Sequence, residues 1–140
     1  MRAVLDASAA LKWFVREEES EEMRELLSRH LSGELELHSP EFLLVELANA
    51  LRYASGIGPA DVLRAVEAVR SLRLRLVDDF ELLGEAVELA FESEVTLYDS
   101  LYVSLARRLD GRLITYDGEL LRKFPELAVK ARDLLEGDSD

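Results

Sequence analysis

The chain has 140 residues, 49% of them hydrophobic and 33% charged, with a formal net charge of −12 at pH 7. That size and composition suit one folded domain with a substantial core and exclude a disordered chain. There is no cysteine, which excludes disulfides, thiolate metal sites and thiol nucleophiles, and the acidic balance excludes nucleic-acid binding driven by overall charge.

Helices and strands alternate along the chain. Residues 2–6, carrying the apolar run Ala3-Val4-Leu5 up to Asp6, read as a short buried strand. Ser8 is the expected cap of the helix that follows, and a second helix is expected over 18–32. Residues 35–38 read as an extended piece. Ser39-Pro40 then reads as a helix start, with Ser at the N-cap and Pro at the first helical position, and that helix is expected to end near Gly56-Ile57-Gly58-Pro59. A helix over 60–71, a strand over 74–77 and a helix over 80–93 capped by Asp78 or Asp79 come next. A helix over 97–109 leads into a strand over 112–116, then a short helix and a strand near Leu127-Ala128-Val129. Residues 1–134 are read as one domain and 135–140 as an acidic tail. This order predicts an α/β fold, a parallel sheet of about five strands covered on both faces. No apolar run approaches the length of a membrane span and no signal-peptide core opens the chain, so a cytoplasmic location is expected.

Four carboxylates stand out because each interrupts an apolar segment, and carboxylates are rarely buried unless paired or bound to a metal. Asp6 closes the first strand, and Asp117 follows Leu113-Ile114-Thr115-Tyr116. Both therefore fall at carboxyl ends of strands, where parallel sheets bind ligands. Each also reads well as a turn or cap residue. Glu46 lies within Phe42-Leu43-Leu44-Val45-Glu46-Leu47-Ala48, and helical spacing places it with Phe42, Ala50 and Tyr53, away from Glu41 and Arg52. For Glu46 the functional reading outweighs a structural salt bridge. Asp99 completes Thr96-x-x-Asp99, a capping box that alone accounts for it. Thr115 is expected in the same cleft, where it can hydrogen-bond a ligand or a carboxylate. With only His30 and His38 as imidazoles, a catalytic metal here must be held mainly by oxygen, which suits a hard divalent cation.

In order, these segments resemble the PIN-domain family, specifically its VapC-type toxins. Val4 to Phe14 is similar to the first family motif, and Pro40 to Leu51 to the second. Thr96-Leu97-Tyr98-Asp99-Ser100-Leu101-Tyr102 is similar to the third, and Leu113-Ile114-Thr115-Tyr116-Asp117 to the fourth. The likeness runs from about residue 3 to residue 130. It implies an α/β/α sandwich and a Mg²⁺- or Mn²⁺-dependent ribonuclease. The catalytic and metal residues would be Asp6, Glu46, Asp99 and Asp117, supported by Thr115 and Ser8. It further implies an RNA substrate, a small VapB-type antitoxin and a homodimer.

Lys12, Arg73, Arg75, Arg107, Arg108, Arg112, Arg122 and Lys123 are the candidate cations for steering RNA despite the net charge. Strand-end phosphoryl transfer calls for a second acid in the first loop, and Asp6-Ala7-Ser8 has none. A housekeeping RNA-processing nuclease of the same family, or a binding module that keeps the acidic site only for folding or partner capture, remain as alternatives.

Overall fold

The computed structural model describes residues 1–137. Five strands form one parallel sheet: β1 (Arg2–Leu5), β2 (Glu36–Pro40), β3 (Arg75–Val77), β4 (Arg112–Ile114) and β5 (Ala128–Val129), in the order β3-β2-β1-β4-β5. The helices are α1 (Ala7–Ala10), α2 (Ser20–Ser32), α3 (Phe42–Leu51), α4 (Pro59–Ser71), α5 (Asp79–Ser93), α6 (Leu97–Leu109), α7 (Gly118–Lys123) and α8 (Ala131–Gly137). A 3₁₀ turn over Leu11–Trp13 extends α1.

The central strand explains the architecture. Successive strand residues point to opposite faces, yet Ala3, Val4 and Leu5 are all fully buried, so both faces are covered. Leu37, Leu113 and Ile114 join them, and α6 presents Leu101, Tyr102, Val103, Leu105 and Ala106 to the same core.

Several element boundaries differ from the sequence reading. Ser39 and Pro40 end β2 instead of starting a helix, because Ser39 is fully buried and its hydroxyl donates to the Leu5 carbonyl (2.9 Å). The α3 start is served from another element: the Phe42 amide donates to the Asp79 carboxylate (3.0 Å). Asp6, and not Ser8, caps α1. The third helix ends at Leu51, well before Gly56. Leu135 to Gly137, expected in the acidic tail, continue α8; residues 138–140 lie outside the described residues. Asp78 caps α5, accepting from the Phe80 amide (3.1 Å), as one of the two expected candidates.

Gly111 joins α6 to β4 where two backbones meet. A Cβ there would lie 2.6 Å from the Arg2 carbonyl oxygen, which is backbone and cannot move aside cheaply. Gly111→Ala should destabilise the fold by about 1–3 kcal/mol, the usual range for overpacking, readable by urea denaturation. An unchanged midpoint would show that the β1–β4 edge yields.

Candidate active site

The register of the sheet builds the site. Leu5 pairs with Ile114, and the Asp6 amide donates to the Ile114 carbonyl (3.2 Å), so Asp6 emerges beside Thr115 at the carboxyl edge. Asp6 is 5% exposed. One carboxylate oxygen accepts from the Ser8 hydroxyl (2.6 Å) and the Ala9 amide (3.1 Å); the other accepts from the Thr115 hydroxyl. The Ser8 oxygen in turn accepts from the Tyr116 amide (2.8 Å), and the Thr115 oxygen from the Asp117 amide (3.0 Å). Ser8 and Thr115 thus tie the start of α1 to the loop after β4.

Thr115 is fully buried, so both of its bonds count. Thr115→Val would leave an Asp6 oxygen and the Asp117 amide each without that partner. A loss of about 1–3 kcal/mol is expected, the cost of an unsatisfied buried polar group, with Thr115→Ser recovering most of it. Equal stability of the valine and serine variants in chemical denaturation would show that the hydroxyl contributes nothing.

The remaining acids come from three helices. Asp117 caps α7, with one oxygen accepting from the Leu120 amide (2.9 Å). Thr96 caps α6 by accepting from the Asp99 amide (3.1 Å), which orients the first turn that carries Asp99. Capping and clustering are compatible: the caps fix the backbone from which the carboxylates project. Glu46 lies on the flank of α3. The core face of that helix is Leu43, Leu47 and Leu51, while Tyr53, expected beside Glu46, falls past the helix end and is largely exposed. Glu46 is half-buried, and the Tyr102 hydroxyl donates to it at 2.5 Å. Tyr102 was not singled out by the sequence; its even place in the buried run of α6 hid the one polar atom it carries.

Asp99 and Asp117 have oxygens within 4.8 Å of each other and of Glu119. Among the described residues this is the group close enough to share one ion. Glu119 was missed by sequence reasoning, and its position two residues past Asp117 in the first turn of α7 was the available signal. It also meets Lys123 at 3.5 Å. Asp6 and Glu46 stand outside this trio but share its field. Burial, set against the hydrogen bonds of Ser8, Thr115 and Ala9, raises the Asp6 pKa to about 6, with Glu46 adding repulsion. Burial, Asp117 and Asp6 raise Asp99 to about 6. Burial also raises Glu46, opposed by the Tyr102 hydrogen bond and reinforced by Asp99 and Asp117. Among the described residues, Asp6, Glu46, Asp99 and Asp117 have no Lys, Arg or His within ion-pair distance. Hard oxygen donors that repel one another fit a hard divalent cation. The acids that act on Asp6 (Glu46 and Asp99) come from α3 and α6, and its own loop supplies no second acid, which counts against strand-end phosphoryl transfer.

Residues 3–127 match the PIN domain family. The chain belongs to the PIN-domain family. Over 135 residues this PIN domain is 36% identical to Ribonuclease VapC3 of Pyrobaculum aerophilum, spanning 91% of the chain and 98% of that protein. Among solved structures it is similar to PAE2754 from Pyrobaculum aerophilum, with TM-score 0.70 and 24% identity over 96% of this chain and 93% of that one. A toxin-antitoxin complex from Klebsiella pneumoniae contains a chain with TM-score 0.67 and 15% identity, covering 92% of this chain and 97% of its own. At these identities the structural likenesses establish the fold, and the all-parallel α/β sheet is the one expected from the sequence.

The steering cations fare differently. Arg75 and Arg112 are the first residues of their strands, and in a parallel sheet that is the edge opposite the site; Arg73 precedes β3 at the same edge. Lys12 is buried against Glu17 (3.4 Å) and lies 4.2 Å above the Tyr116 ring. Arg108 pairs with Glu85 (2.8 Å), and Lys123 donates to the Ser93 and Glu94 carbonyls. Most of the expected cations are therefore engaged elsewhere or distant. No helix among the described residues is long and apolar enough to cross a membrane.

Proposed function

We propose that the chain is a divalent-metal-dependent endoribonuclease, the toxin of a VapBC-type pair. The observation that carries this reading is the cluster of carboxylates at the sheet's carboxyl edge, four of which have no cation partner among the described residues. The 36% identity to Ribonuclease VapC3 supports RNA as the substrate. The likeness to a chain of a toxin-antitoxin complex accords with a small VapB-type partner, and a homodimer is the expected assembly.

Asp99, Asp117 and Glu119 are the proposed holders of the ion, with Asp6 and Glu46 completing the acidic wall. A bound Mg²⁺ or Mn²⁺ would supply a Lewis acid for the phosphodiester and lower the pKa of coordinated water. Asp6 fixes the start of α1 and the loop after β4 through Ser8 and Thr115 and adds negative charge to the field at Asp99. Glu46, held at one oxygen by Tyr102, would orient a water with the other.

Purified protein incubated with a mixed RNA pool and Mg²⁺, Mn²⁺ or EDTA tests the reading. Cleavage with either metal and none in EDTA is expected. Cleavage that persists in EDTA would remove the metal from the proposal, and none under any condition with a folded protein would favour the binding-module alternative.

A further inference from the structure

On α3, Phe42 lies four residues before Glu46 and so occupies the same side of the helix, one turn away. Its ring is stacked on that of Tyr98, with centroids 5.0 Å apart and planes 15° from parallel. Phe42 packs partly into the core, whereas Tyr98 is 57% exposed. Phe42 stacks on the Tyr98 ring, which nonetheless keeps more than half of its residue surface exposed. Val45, 67% exposed, immediately precedes Glu46, just as Tyr98 immediately precedes Asp99. The stacked pair therefore lies one helical turn from Glu46 through Phe42, and Tyr98 belongs to the same first turn of α6 as Asp99.

This placement answers a difficulty in the charge distribution. The chain carries −12, its site is a wall of carboxylates, and most of its candidate cations are engaged or at the opposite edge. Phosphate contacts alone are a poor source of affinity for a polyanion here. An aromatic ring held in place by a second ring offers another source, because every nucleobase has a π-face and stacking needs no charge.

We propose that Tyr98, backed by Phe42, is a stacking platform for one unpaired base beside the scissile phosphodiester. The proposal rests on the ribonuclease reading above. A protein partner covering the same ring is the competing occupant, and the experiment separates the two.

The test uses a short single-stranded oligoribonucleotide carrying 2-aminopurine at each position in turn, with wild-type protein and the variants Tyr98→Ala, Tyr98→Phe and Tyr98→Trp. Tyr98→Ala is expected to raise KM roughly tenfold or more, the scale of one lost base stack, with kcat near wild type. The Phe and Trp variants should keep the wild-type KM, since the hydroxyl is not needed. An abasic nucleotide at the platform position should weaken wild type and leave Tyr98→Ala indifferent. In Ca²⁺, wild type should quench 2-aminopurine at that position and Tyr98→Ala should not. Active enzyme whose KM and quenching are unchanged by Tyr98→Ala would overturn the platform, leave the nuclease intact and favour the protein partner. Tyr98-dependent quenching with no cleavage by wild type would support the platform and overturn the nuclease.

Discussion

Replacing Asp99 with Asn should abolish RNA cleavage while making the metal-free protein more stable. Asp99 belongs to the trio whose oxygens approach within 4.8 Å, and its carboxyl is raised to about 6 by burial, Asp117 and Asp6. At neutral pH it is ionised against its surroundings, so removing its charge relieves repulsion in the metal-free state. The same change removes an anionic oxygen proposed to hold the ion, and several kcal/mol of transition-state stabilisation corresponds to a rate loss of roughly 10³-fold or more. A gain in melting temperature in EDTA, together with lost cleavage, is the signature of a site that costs stability and performs chemistry. Asp99→Asn that cleaves at the wild-type rate would remove Asp99 from the machinery. A fall in melting temperature would show that its structural role at the start of α6 dominates.

Addition of Mn²⁺ should raise the melting temperature, and the rise should grow as pH increases through about 6. The sign follows from proton linkage. Asp6 and Asp99 have folded-state pKa values of about 6, above their ordinary value of 3.8. Between those values the folded state binds more protons than the unfolded one, so their contribution is fully present below about 4 and is lost as pH rises through 6. Glu22, beside Arg132, and Asp61, beside the Gly58 amide and Arg64, are shifted the other way, so their contributions fade as pH falls. The informative quantity is therefore the difference between metal and EDTA at each pH. A cation substitutes for the protons that the cluster lacks at high pH, and ligand binding to the native state adds stability by mass action. A gain that is equal at pH 5 and pH 8, or absent, would count against ion binding at these carboxylates. Asp99→Asn should flatten the dependence.

Much of the fold was legible because its signals are local. Ala3-Val4-Leu5 and Leu113-Ile114 are apolar runs too short for helices, and the segments between them carry helical spacing, so the alternation that dictates a parallel sheet is written in the chain. Thr96 and Asp117 proved to be caps as read, since capping depends on residues three positions apart. Ser39-Pro40 misled for the complementary reason. Its local preference for a helix start is outweighed by pairing of β2 with both neighbours and by the bond from Ser39 to the Leu5 carbonyl, neither visible without the tertiary arrangement.

The sequence by itself determined the order of elements and the presence of four acids in apolar surroundings, because periodicity and hydrophobic context act within a few residues. The tertiary structure decided which acids meet. Parallel registry set Asp6 beside Thr115, and the packing of α6 against the sheet brought Tyr102 to Glu46. The first turn of α7 added Glu119 to Asp99 and Asp117. It also carried Arg75 and Arg112 to the far edge, since all strands of a parallel sheet begin on the same side. Distances between residues a hundred positions apart are set by strand registry and helix packing, which no local pattern encodes.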